Sequence, residues 1–145
     1  MKGLIQRVRS ASVTIDDKTV ACIDTGILLL LGIEKDDDKL KMEKMARKVF
    51  SYRIFSDVDG KMNKSLTDIN GELLVVSQFT LVADTAKGNR PGFSKGAAPA
   101  RGEFIYQSFI EHVGEEYREC QTGVFGADMA VSLVNDGPVT FWIET

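Results

Sequence analysis

Histidine is nearly absent from this chain, with His112 alone among 145 residues. Its helical spacing from Ile105 and Phe109 puts it at the edge of a packed face, which suits a structural imidazole and disfavours a Ser-His-Asp triad. Cysteine is almost as scarce. Cys22 and Cys120 lie far apart without C-x-x-C spacing, so both read as small, partly buried apolar residues rather than a disulfide or metal pair. Zinc finds no ligand set, and no metal or other cofactor is expected. The phosphate-binding glycine motifs are missing too. Gly88-Asn89-Arg90-Pro91-Gly92 lacks the lysine and hydroxyl that a P-loop needs, and no G-x-G-x-x-G follows a strand, which disfavours nucleotide hydrolysis and dinucleotide redox chemistry. Long apolar runs are absent as well. The most apolar one, Ile27 to Ile33, spans seven residues after a glycine and suits a buried strand, not a signal peptide or a membrane helix. A cytoplasmic protein with no membrane partner is expected. A basic excess is also lacking: the net charge of −3 argues against a general nucleic-acid binder.

What is present fits one domain over residues 1–145. A chain of this length buries about 68–70% of the surface its unfolded form exposes, enough for a self-sufficient core. Hydrophobic residues at 43% and charged residues at 27% match ordinary globular composition. Charge is unevenly placed. From Thr85 to Gly102 there is no acid, while Lys87, Arg90, Lys95 and Arg101 all fall there, so this segment is suited to phosphates.

Leu4 to Val8, Ala11 to Ile15, Val20 to Asp24 and Ile27 to Ile33 predict three or four strands. Met42, Met45, Ala46 and Val49 recur at helical spacing after Asp36-Asp37-Asp38, so a helix is predicted from about Asp38 to Tyr52 with the acids capping it. Asp57-Val58-Asp59-Gly60 superficially resembles a calcium loop. With Gly60 at the sixth position, Phe55 and Leu66 would fall on ligand positions, so a turn is the better reading. Ile105, Phe109, His112 and Val113 predict a second helix from Pro99 to Tyr117, with the proline in its first turn. The fold class is mixed α/β, a single domain with two main helices.

Two stretches invite a functional reading. Ser77-Gln78-Phe79-Thr80-Leu81 directly follows the apolar strand Leu73 to Val76. Ligands in α/β sheets sit outside the carboxyl ends of strands, where exposed N–H groups can hold a developing oxyanion. An ordinary strand end, its Ser and Thr serving local backbone groups, fits the same letters and is favoured by spacing alone. Further on, Asn135-Asp136-Gly137-Pro138 separates two sheet-like runs, Met129 to Val134 and Val139 to Ile143. Proline lacks a backbone donor and fixes φ, and X-Pro is the one bond type at which a cis peptide is cheap. A hairpin turn dividing two final strands is expected. The sharper alternative is a rigid wedge presenting carbonyl oxygens.

Four motifs occur together and in order: Ser77-Gln78-Phe79-Thr80-Leu81, Lys87 to Phe93, Gly123-Val124-Phe125-Gly126-Ala127-Asp128-Met129 and Asn135 to Phe141. With Gln6-Arg7-Val8, Arg53-Ile54-Phe55, Gly60-Lys61-Met62-Asn63 and Trp142 between and around them, the chain closely resembles the D-aminoacyl-tRNA deacylase family over its whole length. One departure is Gly92, where the family commonly has Ser. The resemblance implies a layered β/β/α fold and a homodimeric hydrolase of the ester joining a D-amino acid, and glycine, to the terminal adenosine of tRNA.

The resemblance also assigns roles. Gly137 and Pro138, joined by a cis bond, form a chiral gate reaching into the active site of the other subunit, where their carbonyls accept from the substrate ammonium and leave no volume for an L side chain. Phe125, Gly126 and Met129 hold the terminal adenosine, whereas spacing alone favours core packing for Phe125 and Met129. Beside these roles, the basic, acid-free loop suits acceptor-stem phosphates, with Arg90 the first partner and Lys87 and Lys95 beside it, while a solvated loop fits the same residues equally well. Ser77, Gln78, Phe79 and Thr80 form the catalytic stretch. Thr80 as nucleophile needs a base that the chain does not offer. The preferred mechanism has a ribose hydroxyl of the substrate assisting water while N–H groups near Phe79 and Thr80 hold the oxyanion. Arg7 is a scaffold residue. The competing classes are a non-enzymatic nucleic-acid binding module and a small-ester hydrolase with Thr80 as nucleophile.

Overall fold

A computed structural model describes all residues, Met1–Thr145. The chain runs β1 (Lys2–Ile15), β2 (Lys18–Ile23), β3 (Gly26–Gly32), α1 (Lys39–Ser51), β4 (Phe55–Ser56), β5 (Met62–Lys64), β6 (Glu72–Ser77), a 3-10 turn (Phe79–Val82), α2 (Pro99–Glu116), β7 (Gln121–Thr122) and β8 (Ala130–Glu144). The two runs at the start of the sequence are one strand. Arg9 and Ser10 between them are exposed, but Ser10 still pairs with Val134 of β8, so the ladder slips in register instead of ending. Asp16 and Asp17 both take positive φ, 47° and 61°, and make the tight turn into β2.

Both helices fall where predicted. Asp38 caps α1, its carboxylate accepting from the Lys41 N–H at 2.9 Å, and Pro99 opens α2. The neighbouring acid is a different matter. Asp37 does not cap; it is fully buried and accepts from the α-ammonium of Met1 at 2.6 Å. The expected turn at Asp57 is present, with that carboxylate accepting from the N–H groups of Asp59 and Lys61 and from Asn63 Nδ2.

One six-stranded sheet carries the molecule, ordered β2-β1-β3-β6-β7 with β8 along the other edge of β1. β3 and β6 are parallel, as are β6 and β7; the other pairings in this sheet are antiparallel. β3 is buried on both faces, which is why Ile27 to Leu31 reads as an unbroken apolar run. One face, with Ile27, Leu29, Leu31, Leu73 and Val75, packs on Met45, Val49, Tyr106 and Phe109 of the helices. The other, with Leu28, Leu74 and Val76, packs on Val13, Ala21 and Ile23. The far half of β1 therefore folds back with β2 as a second β layer, giving the β/β/α arrangement.

The expected C-terminal hairpin is not formed. β8 is a single strand, antiparallel to β1 on both sides of Gly137-Pro138. Gln6 pairs with Thr140 and Val8 with Asn135, so Asp136 to Val139 stand opposite Arg7 alone. The step is a wide bulge, not a reversal. The Gly137–Pro138 bond is cis and Gly137 has φ of +142°, a region that L side chains rarely adopt. Arg7 acts as scaffold, as expected: Nε donates to the Asp136 carbonyl at 2.8 Å and Nη1 to the Ile54 carbonyl at 2.6 Å. Asn135 closes the base of the bulge, accepting from the Val139 N–H at 2.6 Å and donating to Thr140 Oγ1 at 2.8 Å.

Candidate active site

β6 lies between two parallel neighbours, and the chain leaves its carboxyl end at Ser77 to enter the 3-10 turn. The Gln78 N–H donates to the Leu31 carbonyl at 2.8 Å, which fixes where the chain departs from the sheet. Neither the Phe79 nor the Thr80 N–H serves any of the backbone bonds of turns, loops and caps. Both begin the 3-10 turn, where no preceding turn supplies acceptors. Gln78 Nε2 donates to Thr80 Oγ1 at 2.6 Å.

Beside this strand end a cleft of about 530 Å³ opens. Ser77, Gln78 and Phe79 line it together with Phe125, Gly126 and Met129, so two motifs nearly fifty residues apart share one wall system. Thr80 is exposed at the edge of this set, linked to it through Gln78. Phe125 is half-buried: it packs on the edge of the helix-facing core, its ring leaning on Tyr106 with centroids 5.8 Å apart, and it lines the cleft with its other side. Tyr106 is itself anchored by its hydroxyl, which donates to the Val75 carbonyl at 2.9 Å, and burial raises the pKa of that hydroxyl.

Several lining residues escaped the sequence reading. Gly102 on α2 would place a Cβ 3.3 Å from the Phe125 ring, so its lack of a side chain lets the aromatic approach the helix. Ala97 and Pro99 also line the cleft, as does Asp128 of the Gly123 to Met129 motif. A cluster of small residues, Gly96-Ala97-Ala98 before Pro99, was the only signal available.

The basic segment divides. Lys87 and Arg90 are exposed and make no ion pair, whereas Lys95 lies 3.5 Å from Asp84. The Ala86 N–H, with Lys95 second, holds the Asp84 carboxyl below its ordinary range. Arg101 belongs to the scaffold, donating to the Asp37 carbonyl at 2.7 Å. Gly92 exchanges two backbone bonds with Asp84, at 2.7 and 3.0 Å. A Cβ there would meet nothing closer than 3.8 Å, so Ser in this position would keep the same loop.

Some residues lie elsewhere. Gly137 and Pro138 are exposed and do not line this cleft. His112 is half-buried on α2 against Tyr117, at 6.3 Å between ring centroids. Cys120 is half-buried, but Cys22 is exposed, contrary to expectation, because it occupies an outward position of the alternating β2 pattern. No helix is long and apolar enough to cross a membrane.

The family model described as D-Tyr-tRNA(Tyr) deacylase matches residues 4–144. A D-aminoacyl-tRNA deacylase of Enterobacter sp. (strain 638) is 57% identical over 99% of both chains, and that of Escherichia coli O81 (strain ED1a) is 55% identical over the same shares. Among solved structures, one named c-Myc DNA Unwinding Element Binding Protein superposes with a TM-score of 0.96 at 42% identity, covering 100% of this chain and 99% of the other. A second, described as a probable eukaryotic D-amino acid tRNA deacylase, shares the fold at a TM-score of 0.83 and 17% identity, covering 99% and 98%. With the family model spanning nearly the whole sequence and full-length relatives more than half identical, the chain belongs to the D-aminoacyl-tRNA deacylase family.

Proposed function

We propose that this chain hydrolyses the ester of D-aminoacyl-tRNA, and of glycyl-tRNA, in the cytoplasm, as a homodimer whose two active sites each take Gly137 and Pro138 from the partner subunit. The observation that carries this is the cleft in which the strand end Ser77 to Phe79 meets Phe125, Gly126 and Met129. An apolar, aromatic slot suits the face of a terminal adenine, and a strand end with the first N–H groups of a 3-10 turn beside it suits the ester carbonyl.

Water attacks the carbonyl carbon, the oxyanion accepts from the Phe79 and Thr80 N–H groups, and the bond to the ribose 3′-oxygen breaks as that oxygen takes a proton. Free D-amino acid and tRNA result. The vicinal 2′-hydroxyl of the substrate positions the water and relays the proton. Thr80 is not the nucleophile in this scheme: the partner of its hydroxyl is the Gln78 amide, a donor that cannot accept its proton. Gln78 orients Thr80, and Ser77 lines the floor. Lys87 and Arg90, with Lys95 behind them, steer the acceptor stem.

Two features support action across a dimer. Gly137 and Pro138 stand exposed on a clamped bulge outside the cleft of their own protomer, and β8 pairs with β1 alone, leaving a strand of 15 residues with one open edge. Rigid backbone acceptors exclude an L side chain by volume without reading which D side chain is present.

Release from D-tyrosyl-tRNA, L-tyrosyl-tRNA and a simple D-amino-acid ester tests the reading, with turnover of the first alone expected. Equal release from both tRNA esters would remove the chiral gate. No release from any would favour a non-hydrolytic nucleic-acid binder; the 42% identical structure carries DNA binding in its name. Within the active case, Thr80→Ala should keep substantial activity while a terminal 2′-deoxyribose abolishes turnover; the opposite pattern would make Thr80 the nucleophile.

A further inference from the structure

Within one protomer, Phe79 and Phe93 are large apolar side chains left exposed, at 65% and 44%, with ring centroids 5.1 Å apart and planes tilted by 53°. Aromatics this exposed gain little from burial, yet here the backbone holds both in place. Phe79 begins the 3-10 turn at the end of β6. Phe93 directly follows Gly92, which is locked to Asp84 by two hydrogen bonds, and its own carbonyl accepts from the Gly96 N–H at 3.1 Å. The pair is therefore a fixed platform at the mouth of the cleft, since Phe79 also lines it.

The loop that carries Phe93 is basic, and its nearest acid, Asp84, is paired with Lys95. Lys87 and Arg90 lie in the same loop, exposed and without an ion pair, and no acid occurs from Thr85 to Gly102. Aromatic faces flanked by unpaired cations are how proteins hold single-stranded nucleic acid, the ring taking a base and the cations its phosphates. We infer that Phe79 and Phe93 stack the base of the nucleotide preceding the terminal adenosine, with Lys87 and Arg90 meeting the phosphates on either side. This rests on the deacylase reading, and it adds a second base subsite outside the adenosine slot. Stacking of this kind is indifferent to base identity, so the platform recognises a single-stranded 3′ end and not a sequence.

The test compares wild type with Phe93→Ala and Phe93→Trp on D-tyrosyl-adenosine, D-tyrosyl-tRNA and D-tyrosyl-tRNA made abasic at the penultimate position. Phe93→Ala should raise KM for D-tyrosyl-tRNA about tenfold with kcat unchanged, leave the adenosine ester unaffected, and show no further loss on the abasic substrate. Phe93→Trp should restore wild-type KM. A trinucleotide acceptor end carrying 2-aminopurine at the penultimate position should lose fluorescence on binding wild type and keep it with Phe93→Ala. Equal damage to adenosine and tRNA esters, independent losses from the variant and the abasic site, or equal quenching by both proteins would each overturn the inference. If wild type cleaves no ester, the deacylase reading falls while the quenching still decides the platform.

Discussion

Cys22 and Cys120 show how far one side chain's chemistry depends on which way it points. Burial pushes the Cys120 thiol up to about 11 from an ordinary 9.0, whereas Cys22 faces solvent from β2. Only thiolates alkylate, so at pH 8 iodoacetamide should label Cys22 first and leave Cys120 unmodified, read by peptide mass spectrometry. The sign for stability follows. A raised thiol pKa means the folded state favours the protonated form, so this contribution is complete below pH 9 and is lost as pH rises through about 11. Gly102 makes a similar point about the site. Its role is to be small beneath Phe125, and a sequence offers no mark that separates such a glycine from one in a plain helix.

At the scale of elements, β8 decides most. Its bulge is held from both sides: Arg7 grips the Asp136 carbonyl, and Asn135 bridges Val139 and Thr140 across the base. Asn135→Ala removes two hydrogen bonds, one to a backbone N–H that then loses its partner. It should cost about 1–2 kcal/mol in urea denaturation. Under the proposed chiral gate it should also narrow the ratio of D- to L-tyrosyl-tRNA hydrolysis more than it lowers D-tyrosyl-tRNA turnover, because a loosened wedge would exclude less. The helices, by contrast, were legible in advance: apolar residues at i, i+3, i+4 and i+7, a capping Asp38 and an N-terminal Pro99 all act within a few residues of their own positions.

Across the whole molecule, Met1 ties the chain's ends to the start of α1. Its side chain is fully buried in the helix-facing core, and its ammonium donates to Asp37 at 2.6 Å, to Glu34 at 3.1 Å and to the Thr145 carbonyl at 2.9 Å. Asp37 is equally buried and its second oxygen accepts from the Glu34 N–H at 2.7 Å. Removing one partner strands the other charge in the interior. Asp37→Ala should therefore cost about 3–5 kcal/mol in chemical denaturation, while Asp36→Ala, one residue earlier and exposed, should change stability by less than about 0.5 kcal/mol.

Asp36, Asp37 and Asp38 mark the boundary of what a sequence can hold. Three identical letters predict a cap, and one of them is a cap, because capping needs only an N–H three residues on. Asp37 took its place from an ammonium 36 residues away, and nothing local encodes that distance. The same boundary runs through the site. By itself the sequence determined the α/β class, both helices, the buried β3 run and the motifs that identify the family, since each rests on local periodicity or fixed order. Only the tertiary structure decided that Gly137-Pro138 is a bulge within one strand, that Cys22 faces out, and that Ser77 to Phe79 and Phe125 to Met129 line one cleft. Those outcomes depend on strand register and on which layer covers which face, and both are set by burial summed over the whole core rather than by neighbours in the chain.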